Sequence, residues 1–270
     1  MNQVDLRSVE EENMFSFSKT STFCFSCLFS LLLAFPTLAA EQKDWKRFRF
    51  ELEGGPVWQA KNDVQIPGNT GTEFSFKDLT GSGPYAAGRF TFDWNIRERH
   101  GLRLEFAPLR IDGNGTFDQP VSFAGTTFSP GTTTEGKYKF DTYRVSYRYL
   151  FLNKNDWRMR VGATLLVRDA KIELDQAGVT ASDSNVGVAP LLNFSTEWGF
   201  ARQWTAIIDF EGLAGGPGRA LDLALKVRYD LTDRWSVGGG YRMLEGGVDS
   251  DDVYNFSWFN YGFLTVGYEF

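Results

Sequence analysis

Apolar and polar residues alternate along this chain with a period of two, and the pattern runs into its last residue, Phe270. Read backward in steps of two, Phe270, Tyr268, Val266 and Leu264 are apolar or aromatic, while Glu269, Gly267 and Thr265 between them are polar or small. Successive side chains of a strand point to opposite faces, so this spacing predicts a strand with one apolar and one polar face. No stretch after residue 40 reaches the roughly 18 consecutive apolar residues of a spanning helix, and none keeps a helical period. The chain reads as all-β.

Ten segments carry the alternation: about 47–58, 84–94, 100–111, 136–150, 157–172, 185–199, 203–211, 219–229, 235–244 and 256 to the end. In the first, Phe48, Phe50 and Leu52 oppose Arg49, Glu51 and Glu53. In the second, Phe90, Phe92 and Trp94 oppose Arg89, Thr91 and Asp93; in the third, Leu102, Leu104 and Phe106 oppose Arg103 and Glu105. The eighth sets Leu221, Leu223, Leu225 and Val227 against Asp222, Lys226 and Arg228. In the fourth, Tyr143, Val145 and Tyr147 oppose Arg144, Ser146 and Arg148. Its earlier residues Tyr138 and Phe140 have the other parity, which predicts a bulge near Asp141. Connections alternate between short turns (95–99, 153–156, 200–202, 230–234) and longer loops (about 59–83, 112–135, 173–184, 212–218, 245–255).

The N-terminus reads as an export signal. Residues 23–35 form a thirteen-residue apolar run followed by Pro36 and the small-residue stretch Thr37 to Ala40, too short to span a membrane as a helix. Domain limits follow: 1–40 as extension and cleaved leader, with Met14 as the expected true start, and 41–270 as the folded unit. Both cysteines, Cys24 and Cys27, fall in the leader, so no disulfide or cysteine metal site is expected in the mature chain. The formal net charge of −6 excludes a nucleic-acid-binding surface, which needs a basic patch. Aromatic residues make up 16% of the chain, and the tryptophans sit at strand ends. Trp94, Trp157, Trp198, Trp204 and Trp235 flank the short turns, and Trp58 and Trp258 lie near the opposite ends of their strands. Two such bands are what membrane interfaces select, because indole prefers the boundary between headgroup and hydrocarbon.

Leader, alternating strands, aromatic bands and terminal aromatic together resemble the small bacterial outer-membrane β-barrel proteins, over the whole chain to Phe270. The resemblance implies a closed antiparallel up-and-down transmembrane barrel of about ten strands, with eight as the alternative if two segments are loops. It implies short turns on the periplasmic side and contact with outer-membrane lipid and lipopolysaccharide. It also implies that Phe270, Tyr268 and Val266 form the signal read by the barrel-assembly machinery.

The inward faces define the candidate functional residues. Arg89, Arg103, Arg144, Arg148, Arg158, Arg160 and Arg168 come from the second to fifth strands; Glu197, Asp209, Glu211 and Asp222 come from the sixth to eighth. Basic charge is thus expected on one wall of the lumen and acidic charge on the other. A salt-bridged plug is the leading expectation, since barrels of this size are filled by side chains. A narrow channel for small charged solutes and a soluble periplasmic ligand binder are the alternatives. Catalysis by known barrel enzymes needs an imidazole as a general base. The one histidine, His100, falls at a periplasmic turn, so the chain is expected not to be an enzyme. Asp249, Asp251 and Asp252 lack the Gly and distal Glu of a calcium loop, and neither a metal nor a cofactor is expected. An extracellular partner cannot be named from these residues.

Overall fold

The computed structural model describes residues 46–216 and 218–270; the expected leader and its cleavage site lie outside the described residues. The strands are β1 (Phe48–Gln65), β2 (Phe74–Ser75), β3 (Tyr85–Arg97), β4 (His100–Ala107), β5 (Arg110–Gly115), β6 (Val121–Phe123) and β7 (Thr126–Phe128). They continue as β8 (Thr134–Lys154), β9 (Trp157–Gln176), β10 (Val179–Ala201), β11 (Trp204–Gly215), β12 (Gly218–Asp230), β13 (Trp235–Asp249) and β14 (Tyr254–Glu269). One helical turn, α1 (Phe76–Thr80), lies between β2 and β3.

Every wall strand pairs antiparallel with its neighbours, and β14 pairs back onto β1. The sheet is a closed ten-stranded barrel in which β4 and β5 share one wall position beside β8. Closure removes the exposed edges that a flat sheet would leave unpaired. The seam is completed by Phe270: the Phe48 amide donates to its carbonyl at 2.9 Å, and its own amide donates to the Phe48 carbonyl at 3.0 Å.

Outside the barrel runs a belt of exposed apolar side chains, including Leu52, Leu104, Val145, Leu165, Leu192, Leu225 and Leu264. A belt of this extent would be unstable in water and is matched to hydrocarbon. Its outer limit is visible on β8 and β9. There the outward residues change from Tyr143 and Val167 to Asp141, Lys139, Asp169, Lys171 and Glu173, which ion-pair with one another and with Arg110. From Trp157 to Val167 is about ten residues, the length a tilted strand needs to cross the hydrocarbon.

Three loop expectations are corrected. The region 173–184 is not a long loop: β9 and β10 pair from Trp157↔Trp198 up to Gln176↔Val179. The reversal takes two residues, Ala177 and Gly178, at φ 52° and 84°, the pair of positive values that a tight primed hairpin turn requires. The regions 212–218 and 245–255 are likewise mostly strand. The bulge expected near Asp141 is absent, because β8 pairs with β9 without a break from Glu135 to Leu150. Tyr138 and Phe140 keep the inward parity of Arg144, and the environment changes around them. Above the membrane the interior turns apolar and the exterior turns charged.

That apolar interior is a plug. Val57, Leu109, Ile111, Tyr138, Phe140, Leu244 and Phe259 of the wall pack with Phe74, Phe76, Leu79, Phe117, Val121, Phe123 and Phe128 from segments folded into the mouth. The two inserted segments are tied together where Thr72 N donates to Ser122 O at 2.8 Å and Ala124 N to Ile66 O at 2.9 Å.

Candidate functional site: the lumen and its outer cavity

Below the apolar plug the lumen is crossed by ion pairs. Each wall strand turns alternate residues inward, and the register decides which charges share a level. Asp222 is the hub: it accepts from Arg242 at 2.6 Å and Arg144 at 2.7 Å, and Arg89 lies at 3.3 Å. Arg89 also reaches Glu105 at 3.0 Å, and Arg242 reaches Glu53 at 3.1 Å. Arg144 bonds Glu211 at 3.0 Å, whose other oxygen accepts from Thr164 at 2.9 Å and Ser146 at 3.3 Å. One level down, Asp93 and Asp209 sit between Arg103 and Arg148, at 2.8–3.4 Å. Towards the periplasmic rim Arg160 pairs with Glu197, which Arg228 approaches at 3.5 Å. Glu51 bridges Arg49 and Lys226, and Arg49 also holds Glu269. Asp222, Arg144 and Arg89 keep 5% or less of their side-chain surface exposed.

All eleven sequence-derived lumen residues point inward, but they divide into groups. Arg89, Arg103, Arg144, Arg148, Arg160, Glu197, Asp209, Glu211 and Asp222 join the ion-pair layer. Arg158 lines the periplasmic vestibule beside Glu197, with its Nε buried and unpartnered. Arg168 stands outside the layer altogether. The expected split into a basic wall and an acidic wall is not observed. Glu53, Asp93 and Glu105 rise from β1, β3 and β4 beside the arginines, while Lys226, Arg228 and Arg242 rise from β12 and β13 beside the acids. Parity had placed these residues inward; what it could not supply was the cross-barrel register that mixes the signs.

The aromatic residues form a ring at the turn side. Trp157 stacks on Trp198 at 5.5 Å, Trp204 meets Tyr229 at 4.7 Å, and Trp235 meets Tyr268 at 4.7 Å. Trp94 lies 6.4 Å from Phe48, which lies 5.3 Å from Phe270. Val266 belongs to the outward belt. His100 sits in the same zone, outside the lumen, with Nδ1 2.7 Å from the Tyr147 hydroxyl. Among the described residues no three His, Cys, Asp or Glu side chains converge as a metal site would require.

A cavity of about 420 Å³ lies at the outer mouth. Its floor is the packed trio Leu166, Leu191 and Ala220. Sequence reasoning missed it, because it arises from two strands parting rather than from any local motif. Pairing of β10 with β11 stops at Leu192↔Gly212, so Val179–Leu191 has only β9 as a neighbour among the described residues. Pro190 lies on that free edge, where a residue without an amide proton costs no ladder bond. Asp183, on the same edge, has its carboxyl pushed above the usual range by burial and by nearby Asp252.

No protein-family model matches the sequence, and no curated protein matches it. Solved structures do align with the chain. The outer-membrane protease OmpT of Escherichia coli aligns at a TM-score of 0.55 with 9% identity, over 83% of this chain and 97% of that one. The attachment invasion locus protein Ail of Yersinia pestis aligns at 0.39 with 12% identity, over 83% and 99%. Neisserial surface protein A aligns at 0.35 with 13% identity, over 83% and 97%. The architecture of this chain is that of the outer-membrane β-barrels.

Proposed function

We propose that this protein is an integral barrel of the bacterial outer membrane that neither conducts solutes nor catalyses a reaction, and that acts through its outer mouth. One observation carries the reading: the lumen is filled twice along its axis, by the layer centred on Asp222 and by the apolar plug above it. The interleaving of signs also leaves no field between a basic and an acidic wall to draw charged solutes through. The non-enzymatic part of the reading is supported by the position of His100, which lies outside the lumen with Nδ1 2.7 Å from the Tyr147 hydroxyl. Folding would follow recognition of the Val266, Tyr268 and Phe270 strand by the assembly machinery, with lipid and lipopolysaccharide against the belt.

Planar-bilayer recording on the purified barrel tests this. The expected result is a flat baseline over hundreds of millivolts, without discrete steps. Reproducible single-channel steps from the wild-type protein would defeat the reading and restore the channel.

A further inference from the structure

We propose that the outer cavity binds a single-chain amphiphile with an anionic head, admitted through the free edge of β10. Three independent features converge on this chemistry. The first is an unpaired cation. Arg168 lines the cavity, and among the described residues it makes no ion pair or hydrogen bond; its Nε is buried without a partner and its guanidinium rests 4.3 Å from the Phe140 ring. A guanidinium held in a partly apolar wall favours an incoming carboxylate or phosphate, which it can bind through two parallel hydrogen bonds.

The second feature is the lining. Ile66, Leu213, Val248 and Val253 present apolar surface around that cation, and Leu213 stays 42% exposed although it faces inward. The volume falls within the roughly 300–1,000 Å³ of small-molecule sites. The third is the route. Val167 marks the outer edge of the belt and pairs with Val188, so the free edge begins, at Leu191, level with the outer leaflet. Arg168 pairs with Gly187, one step above that boundary, which is the height of lipid headgroups. The acidic residues of the cavity do not compete there. Asp183 lies four residues further up β10 than Gly187, roughly 13 Å along the strand, with Asp252 near it.

Free fatty acids and the anionic lipids of the leaflet share this chemistry, and one experiment separates them. The barrel in phosphatidylcholine nanodiscs is titrated with radiolabelled dodecanoate, dodecanol and lysophosphatidylglycerol, with empty nanodiscs subtracted. One of the two anions should bind at a single site at least about ten-fold more tightly than dodecanol. The tighter anion identifies the source. Arg168→Gln should bring that anion to the level of dodecanol, and Gly187→Phe, which fills the cavity opposite Arg168, should abolish binding of all three. Equal affinity for dodecanoate, lysophosphatidylglycerol and dodecanol in the wild type overturns the proposal, as does undiminished anion binding by either variant. Should Arg168→Gln fail to fold, the wild-type comparison of equal chains with and without charge decides alone. Binding is read without current, so a conducting barrel would leave this test intact.

Discussion

A carboxylate with three arginines around it is costly to remove. Asp222→Asn leaves Arg89, Arg144 and Arg242 facing one another with less negative charge between them, in a layer nearly closed to water. Stranding buried charge in this way costs roughly 3–5 kcal/mol. Reversible urea unfolding in lipid vesicles should show a loss of that size for Asp222→Asn, against less than about 1 kcal/mol for Arg168→Gln, which strands no acid. Asp183 gives a test in pH. Its raised pKa means that the folded state holds the proton more tightly than the unfolded one. Its charged form therefore destabilises the fold, and stability falls as pH rises from the unfolded value of about 3.9 through the raised folded value. Asp183→Asn should match the wild type below the unfolded value and exceed it at neutrality, by an amount that solvent screening of this partly exposed carboxylate keeps small. At this scale the sequence was half legible. Period two assigned Glu53, Glu105 and Lys226 to the inward face, whereas their partners depend on register and on which walls meet across the axis.

At the scale of elements, α1 is held against the wall by missing side chains. A Cβ at Gly113 would come 2.6 Å from the Thr80 carbonyl, and one at Gly115 would come 2.5 Å from that of Leu79. Both clashes are with backbone, so α1 must move. Gly115→Val should lift Phe76 and Leu79 from the plug and make 66–84 sensitive to limited proteolysis, while the apolar belt still folds. If cleavage is unchanged, α1 is not seated by these glycines. The free edge of β10 has its own signature. Alternate amides of Val179–Leu191 point away from β9, towards no strand, so about half of them should exchange with solvent quickly while the facing β9 amides stay protected. Uniform protection would mean that the edge is covered. All ten wall strands were legible in the alternation, because each has a solvent for each face. Their upper ends were not. Tyr138 and Phe140 look out of phase only because the two faces exchange character where the membrane ends, and alternation records a change of face, not a change of surroundings. Pro190 was the one local sign of a free edge, and it is ambiguous without the register.

For the whole molecule, the same apolar residue has opposite value on opposite sides of the wall. Leu225 and Leu213 are both about half exposed, at 46% and 42%, and both sit in antiparallel pairs between β11 and β12. Leu225 lies in the outward belt, and Leu213 lines the outer cavity. In a soluble sandwich two such surface leucines would tolerate charge equally. In a membrane barrel they do not: arginine on the lipid face near the midplane costs about 2–4 kcal/mol, whereas near the interface, where the outer cavity opens, the cost falls to about 1 kcal/mol or less. The inward neighbour Ala224 is a poor control for this comparison. It is packed at 4% exposure and pairs with Arg242, so an arginine there adds like charge to a filled layer and is costly too. The expected order of urea stability in vesicles is therefore wild type close to Leu213→Arg, with Leu225→Arg lower by about 2–4 kcal/mol. Equal losses at Leu225 and Leu213 would remove the distinction between a lipid face and a mouth, and with it the orientation of every strand in the barrel.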